Sequence, residues 1–235
     1  MKNTEDEGGW MHISDMMSVL MMIFLFISVV YMIDVKRSLD KMKSIAVNYN
    51  RLQNELYVDL SKEFKDDLTR WNAVIDQRDM AVRFKEPDVL FSVGSADLKN
   101  EFKTILDDFF PRYIKILTSD KYKESIEEIR IEGHTSTEWC GDVSEDVAYI
   151  MNMELSQTRT RNVLVYCLEN TNDDIKGWTK LKLTSNGLSS SRILLDENGV
   201  EDKVMSRRVE FKVRTNADNT IDKILEENEK GFHVQ

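Results

Sequence analysis

One acidic residue lies inside the most apolar stretch of the chain. The segment 13–33 reads ISDMMSVLMMIFLFISVVYMI, and its single carboxylate, Asp15, is about one turn from its start. Hydrocarbon favours the neutral acid, so such a group can load and release a proton or cation as its access to water changes. The alternative is that Asp15 caps a helix N-terminus at the headgroup level. Because intramembrane carboxylates are functional by default, we expect Asp15 to carry an ion.

A second set of polar side chains recurs at helical spacing in the C-terminal half. Its members are Tyr149, Asn152, Ser156 and Arg159. Residues three or four apart share one face of a helix. A strand that ends in Gly133-His134-Thr135 precedes them, and amide and guanidinium groups beside a strand-end loop suit a ligand with carboxylates and amides. The alternative is that the Asn152 and Arg159 side chains only tie the helix to the loop.

Other chemistries find little support in the sequence. The three histidines, His12, His134 and His233, have no zinc-motif spacing, so no metal is expected. There is no nucleophile elbow, Walker loop or dinucleotide fingerprint, which argues against an enzyme and against a cofactor. A net charge of −10 disfavours nonspecific nucleic-acid binding. Cys140 and Cys167 could form a disulfide outside the cytoplasm or stay free thiols inside it.

The apolar segment 13–33 is long enough to cross a bilayer. At about 1.5 Å per residue it spans roughly 31 Å, close to the hydrocarbon thickness of a membrane. It lacks the basic n-region and the cleavage site of a signal peptide, so we expect a single transmembrane helix. Residues 1–12 are then a short cytoplasmic tail. The basic residues cluster just after the segment, which by charge bias alone favours a cytoplasmic C-terminal half.

Residues 34–79 are predicted to form a helical linker. From Asp34 to Asp76 the chain has no Pro or Gly, and apolar residues recur every three or four positions from Val35 to Ile75. An amphipathic helix beside a membrane span must bury this stripe. Pairing with a second copy of the chain is one solution, which predicts a homodimer. The alternative is that the stripe packs on the chain's own domain.

Residues 80–215 alternate between strand and helix patterns. Strands are predicted within 80–92, 126–133, 178–184 and 208–214, and helices within about 95–117 and 147–168. This order, β-α-β-α-β-β, is typical of a two-layer α/β sandwich with helices on one face of a mixed sheet. Residues 216–235 are predicted to be a polar tail.

Four motifs in this domain resemble those of a known family. LFSVGSADL, IRIEGHT, YIMNMELSQTR and SRRVEFKV occur in the order found in the peptidoglycan-binding domain of outer-membrane protein A, the Pal lipoprotein and MotB-type stator subunits. The resemblance covers residues 80–215 and implies an OmpA-like fold. It also implies that Arg159 and Leu155 contact the peptide stem of peptidoglycan, with Thr135, Tyr149, Asn152 and Ser156 completing the site.

The chain departs from the family pattern at one position. The family loop commonly reads GHTD, and its aspartate binds the amino end of diaminopimelate. Ser136 stands there in this sequence and carries no charge. Either Glu138 or Asp142 substitutes, or the ligand is bound differently.

The membrane segment extends the resemblance to the MotB architecture. A short tail, one span with an aspartate, a helical linker and a wall-binding domain imply an ion-carrying stator subunit, with two copies inside a ring of five MotA-like subunits. Residues 35–50 match the plug of that family in position. GHTSTEW and SRRVEFKV most resemble the B subunits of Zorya anti-phage defence systems. A passive envelope tether, a flagellar-type stator and an ExbD-type subunit are the alternatives.

The family also implies a location in the cell. The expected protein is a single-pass bacterial inner-membrane protein with its N-terminus in the cytoplasm and its C-terminal domain in the periplasm. The positive-inside rule weakens for long translocated domains, so the domain type overrides the charge bias.

Overall fold

The computed structural model describes residues 5–85, 90–92 and 94–216. Pro87, where the sequence predicts a strand to break, and nearly all of the polar tail 216–235 lie outside these residues. The first element is helix α1, Glu5–Glu63, of 59 residues. At about 1.5 Å per residue it is roughly 88 Å long. It therefore contains part of the predicted tail, the whole apolar segment and much of the predicted linker.

Among the described residues, one helical stretch is apolar and long enough to cross a membrane. It runs from Ile13 to Ser44, with a mean hydropathy of 2.5 in its most apolar window. Its large apolar side chains are exposed in the single chain, as a surface for lipid or for a partner helix requires.

Ten shorter elements follow α1 within the described residues. They are α2 (Asp67–Arg70), β1 (Ala73–Asp76), β2 (Ala81–Phe84), α3 (Asn100–Leu117), β3 (Ile126–His134), α4 (Glu145–Glu169), α5 (Asp173–Lys182), β4 (Leu183–Gly187), α6 (Lys203–Ser206) and β5 (Arg208–Thr215). Within the described residues the strands form one five-stranded sheet in the order β1-β2-β5-β3-β4. Strands β3 and β4 are parallel, and the other neighbours are antiparallel. The predicted mixed α/β domain after one long apolar helix is confirmed.

One face of the sheet is apolar because alternate residues of each strand point to the same side. Phe211 of β5 lies between Val82 of β2 and Ile131 of β3 in the register, and all three are buried. The aromatic rings of Phe109 and Tyr113, from α3, pack on Phe211 with centroids 5.1 and 6.0 Å away. Helix α3 is thereby fixed on this face.

The end of α1 belongs to the same core. Leu56, Leu60 and Phe64 are at most 1% exposed, and the Phe64 ring lies 5.2 Å from that of Phe109. For this part of the stripe, the structure shows packing on the chain's own domain, the alternative to dimer contact. The predicted boundary at 79/80 therefore moves towards the N-terminus, to about Leu56.

Polar contacts hold the same junction from outside. The Arg112 guanidinium donates from Nε to Glu63 Oε1 (2.8 Å) and from a terminal nitrogen to Asp67 Oδ2 (2.8 Å), and its Cζ lies 4.9 Å from the Phe64 ring centroid. On another side of α1, Tyr122 donates to Asp59 Oδ2 at 2.6 Å, which lowers the pKa of the Asp59 carboxyl. Helix α1 is therefore joined to the domain by apolar and ionic contacts.

Two predicted elements are wrong. The helical stripe was expected to continue to Asp76, but residues 73–76 form β1, which pairs with β2. Trp71 fits the stripe by spacing, yet it is buried in the core beyond the helix end. The WTKLKLT segment was expected to be a strand, but it is mostly helix α5, with Thr179 buried and Leu181 82% exposed. Its alternation of apolar and polar residues is coincidental.

Two glycines let α4 lie close to the sheet. Gly133 of β3 and Gly187 of β4 are register partners. A Cβ at Gly187 would lie 2.3 Å from the Gln157 backbone nitrogen, and one at Gly133 would lie 2.6 Å from Thr160 Cγ2. Because neither glycine has a side chain, α4 can pack close to the ends of β3 and β4.

Replacing Gly187 with alanine should push α4 away from the sheet. Because the added Cβ meets backbone atoms, which give way poorly, we expect the free energy of unfolding to fall by about 1–3 kcal/mol, as in overpacked cores. Urea unfolding of the full chain in detergent micelles, followed by tryptophan fluorescence, measures this.

Gly177 provides the matched control. It lies within α5, and an added Cβ would meet no atom within 4 Å. Alanine is the better helix former by about 1 kcal/mol, so Gly177→Ala should stabilise the protein slightly. Equal stability of Gly187→Ala and wild type would contradict the close packing of α4.

Candidate functional site

The loop between β3 and α4 is held from the helix side. Strand β3 ends at His134, one residue beyond the predicted end, and α4 begins after Ser144, whose Oγ accepts from the Val147 amide. The Asn152 side-chain nitrogen donates to the backbone oxygens of Ser136 (3.2 Å) and Glu138 (3.0 Å). Asn152 thus fixes the backbone of the loop.

A second loop, after β4, supports the first. The Thr135 amide donates to the Ser189 carbonyl at 2.9 Å. Ser189 is fully buried, its amide donates to Ser156 Oγ (3.1 Å), and its hydroxyl donates to the Tyr149 carbonyl (2.8 Å). Ser156 and the Tyr149 backbone therefore anchor this supporting loop to α4.

Arg159 joins α4 to the segment after β2. Its Nε donates to the Ser95 carbonyl at 2.9 Å, and a terminal nitrogen lies 3.4 Å from the Ser92 carbonyl. Its Cζ lies 4.8 Å from the ring centroid of Phe91, within cation–π range. One turn further along the helix, Asn162 donates to the Ala96 carbonyl at 2.9 Å. The guanidinium is thereby held in one orientation.

The loop after β3, helix α4, the segment after β2 and Arg207, just before β5, line an open cavity of about 400 Å³. Four of the residues predicted for the site line it, namely Thr135, Asn152, Leu155 and Arg159. Tyr149 and Ser156 do not. Tyr149 is 41% exposed, and Ser156 is buried beneath the second loop. The structure thus divides the predicted helix face into cavity-lining residues and residues that support the loops.

Six further residues of the described part of the chain line the cavity. They are Gly94, Ser136, Glu138, Trp139, Cys140 and Arg207. Of the two acids considered as substitutes for the family aspartate, Glu138 is a lining residue and Asp142 is not. Sequence reasoning did not place Arg207 or Trp139 in the site, although the SRR motif contains the former and the loop after GHT contains the latter. Both residues lie in sequence beside a predicted strand end, and that position could have identified them as candidates for the site.

The cavity offers mainly hydrogen-bond donors. Arg159 and Arg207 contribute two guanidinium groups, and Glu138 is the one carboxylate among the described residues that line it. The Thr135 hydroxyl and the Arg207 Nε are buried and have no hydrogen-bond partner among the described residues. Unpaired buried polar atoms are costly unless a ligand or water satisfies them. The arrangement therefore suits a ligand rich in carboxylate and carbonyl oxygens.

Beside the cavity, the polar face of the sheet carries a buried ionic cluster. Glu210 Oε1 accepts from Arg83 Nε (2.7 Å) and from Arg208 Nε (2.5 Å). His134 Nε2 lies 3.8 Å from Glu132 Oε2 and 4.0 Å from Glu210 Oε1. Burial, with a smaller contribution from Arg208, lowers the pKa of His134 to about 3, so the imidazole is neutral at neutral pH.

This cluster brings together three side chains that could ligate a metal, namely Glu132, His134 and Glu210. The guanidinium groups of Arg83 and Arg208 already bind the Glu210 carboxylate, and that of Arg192 lies 3.6 Å from Glu132. A divalent cation placed among them would be repelled. We therefore assign the cluster a structural role in fixing the end of β3.

The two cysteines do not form a disulfide. Cys140 is exposed at the cavity, whereas Cys167 is buried on α4, and both are free thiols. Cys167 lies fifteen residues beyond Asn152 on α4, or about 22 Å along the helix axis, which is far beyond disulfide distance. Burial raises the pKa of the Cys167 thiol well above its usual range.

Asp15 lies on α1, exposed in the single chain and within the apolar stretch. Ser18, one turn further on, donates its hydroxyl to the Ser14 carbonyl at 2.8 Å. Because residues three apart share a helix face, Asp15 and Ser18 form a small polar patch on an otherwise apolar surface. The carboxylate and the cavity thus lie on one chain but in two separate regions.

Solved structures of proteins from several bacteria are similar to this chain. The chain is similar to a putative MotB-like protein from Desulfovibrio vulgaris (22% identity, TM-score 0.47), covering 69% of this chain and 90% of that one. It is also similar to the cell wall anchor of the T6SS from Pseudomonas aeruginosa (20% identity, TM-score 0.45), covering 67% of this chain and 97% of that one. A third similar structure is the periplasmic domain of Helicobacter pylori MotB (17% identity, TM-score 0.43), covering 65% of this chain and 86% of that one.

No family model matches the chain. A curated protein of Escherichia coli (strain ATCC 8739, Crooks), the Zorya protein ZorB, is 50% identical over 232 residues, which cover 96% of each chain. Identity at this level over nearly the whole length includes the apolar helix as well as the domain. The protein therefore belongs to the family of the Zorya protein ZorB.

Proposed function

We propose that the protein is a non-enzymatic stator subunit, anchored to the cell wall, of an ion-driven membrane complex in Zorya anti-phage defence. One observation carries the proposal. Helix α1 contains an acid within its membrane-spanning stretch and continues without a break into the domain that holds the cavity. The proposed ion-carrying group and the proposed wall-binding site would thus be parts of one connected body.

The membrane half needs a partner. The exposed apolar surface of α1 is broken by the Asp15 and Ser18 patch, which is unfavourable against lipid. A multi-span MotA-like subunit would cover that patch and supply the water path by which the ion reaches Asp15. We propose two copies of this chain within a ring of such subunits, with the N-terminus in the cytoplasm and the domain in the periplasm.

The domain half would bind the peptide stem of peptidoglycan. Stem peptides carry free carboxylates and amide carbonyls, and the cavity presents the Arg159 and Arg207 guanidinium groups and the Thr135 hydroxyl. Arginine matches a carboxylate with two parallel hydrogen bonds. Leu155 of α4 adds an apolar side chain to the lining of the cavity.

Replacing Arg159 with alanine should reduce binding to peptidoglycan at least tenfold. A hydrogen bond to a charged group is worth about 1.5–3 kcal/mol, and tenfold in affinity corresponds to about 1.4 kcal/mol. Co-sedimentation of the detergent-solubilised protein with purified sacculi measures the loss. Arg161 is the matched control, because it is exposed on the same helix and is not a lining residue of the cavity.

Arg159 also supports the segment after β2, so lost binding must be separated from lost folding. Arg207→Ala removes a cavity guanidinium whose Nε has no hydrogen-bond partner among the described residues, and should weaken binding with little change in thermal unfolding. Wild-type sedimentation by both variants would move the wall site elsewhere on the protein.

A further inference from the structure

The domain has three tryptophans, and two of them serve its core. Trp71 is buried among the phenylalanines of the core, and Trp178 of α5 packs against that core. Trp139, on the loop after β3, is half-buried and lines the cavity. Among the described residues it packs neither against the core nor against another aromatic ring. A large aromatic side chain in this position is available to a ligand.

The exposure of the lining residues shows where Trp139 lies in the cavity. Thr135 and Asn152 are at most 4% exposed, so they form the floor of the cavity. Glu138 and Cys140 are exposed, with Trp139 between them, so these three consecutive residues form part of the rim. Trp139 is the one aromatic side chain among the described residues that line the cavity. A ligand that reaches the floor would extend past this rim.

Hydrogen bonds fix the backbone that leads to Trp139. The Glu138 carbonyl accepts from the Asn152 side chain at 3.0 Å. Thr137 donates both its amide (3.0 Å) and its hydroxyl (2.5 Å) to the Glu201 carboxylate. A tryptophan on a fixed backbone has only its two side-chain torsions to order, so contact with a ligand costs little conformational entropy.

The indole ring is suited to the ring of a sugar. One face of a β-linked pyranose ring consists of C–H groups, whose partial positive charge matches the negative face of an aromatic π-system. Stacking also removes both apolar surfaces from water. A stem peptide, in contrast, has small or charged side chains, for which the cavity already offers Leu155, Arg159 and Arg207.

We propose that Trp139 binds a sugar ring of the glycan strand by stacking, next to the place where the cavity holds the stem peptide. The inference rests on the proposed binding of peptidoglycan and adds the carbohydrate to the ligand. In peptidoglycan the stem is joined to a sugar through a short lactyl ether, so a stem held in the cavity brings that sugar to the rim. The domain therefore binds glycan and peptide together more tightly than it binds the peptide alone.

The test compares two soluble probes by calorimetry, with the full chain in detergent. One probe is a stem peptide that ends in the lactyl group, and the other is the same peptide joined to its disaccharide. We expect the wild type to bind the disaccharide probe about five- to tenfold more tightly, the order of magnitude for stacking on an aromatic ring. Trp139→Ala should bind both probes with the affinity that the wild type has for the lactyl peptide.

A second variant gives a spectroscopic measurement. In the wild type, the disaccharide probe should change the tryptophan emission more than the lactyl peptide does, because the sugar covers the indole. Trp139→Phe keeps a flat ring, so it should retain part of the preference and lose this change in emission. Trp178→Phe is the matched control, since Trp178 is not a lining residue of the cavity, and it should keep both.

The outcomes separate the inference from the proposed function. Equal affinity of the wild type for both probes, or an unchanged preference in Trp139→Ala, would overturn the sugar subsite and leave peptide binding intact. Lost peptide binding in a folded Trp139→Ala would assign the ring to the peptide instead. If Trp139→Ala does not fold, the emission of Trp139→Phe decides, and a persisting change would contradict the inference. Binding of neither probe, nor of sacculi, by the wild type would overturn the proposed function itself.

Discussion

Replacing Asp15 with asparagine is expected to abolish phage protection while the complex still assembles. The amide has nearly the shape of the carboxyl group but cannot exchange a proton or hold a cation as a carboxylate does. A mechanism that loads and unloads an ion at Asp15 would stop, so plaque counts should rise to those of cells lacking the protein. Co-purification of the proposed MotA-like partner with the variant tests assembly separately.

Asp34 provides the comparison for that experiment. It follows the apolar segment at its other end, where an interfacial carboxylate is solvated and has no ion to carry. Asp34→Asn should therefore leave protection close to wild type. Full protection by Asp15→Asn would eliminate the ion-driven mechanism and favour a passive tether between membrane and wall.

Replacing Phe64 with alanine is expected to cause the largest loss of stability in the domain. Phe64 is fully buried, and its ring contacts those of Trp71 (5.7 Å between centroids) and Phe109 (5.2 Å) as well as the Arg112 guanidinium. Removing a buried phenylalanine side chain typically costs about 3–5 kcal/mol, from lost transfer free energy plus the cavity left behind. Small domains have only about 5–15 kcal/mol in total.

Urea unfolding followed by tryptophan fluorescence should show this loss as a lower midpoint, because Trp71 lies beside the substituted position. Val58→Ala is the matched control, since Val58 lies on α1, which ends one residue before Phe64, but is 57% exposed. We expect it to change the free energy of unfolding by less than about 0.5 kcal/mol. Equal midpoints for the two variants would mean that α1 does not belong to the core.

Much of the fold follows from periodicity in the sequence. The alternating strands β3 and β5 have strong patterns and lie close to where the sequence predicts them, and so does the long α4, although its buried face is largely polar. The errors occur in short segments, where a helical repeat and a strand repeat both fit the same few apolar positions. In β1 and α5 the tertiary packing decides, because a four-residue strand or a ten-residue helix has too little pattern of its own.

The candidate site was partly predictable for a related reason. Helical spacing places Asn152, Ser156 and Arg159 on one face of α4. Only part of that face borders the cavity, and spacing alone does not show which part. The buried Ser189 loop covers Ser156 and leaves Arg159 open to the cavity. Arg207 comes from a segment 48 positions further along the chain, and only the sheet register brings it to the same rim.

The continuity of α1 has a mechanical consequence. From Ile33 to Leu56 the helix runs about 35 Å at 1.5 Å per residue, and its far end is embedded in the core. A slack tether would absorb movement at the membrane, whereas a continuous rod transmits it. If the domain binds the cell wall as proposed, any push or twist on the membrane segment would reach the wall as strain, and the wall would supply the opposing force.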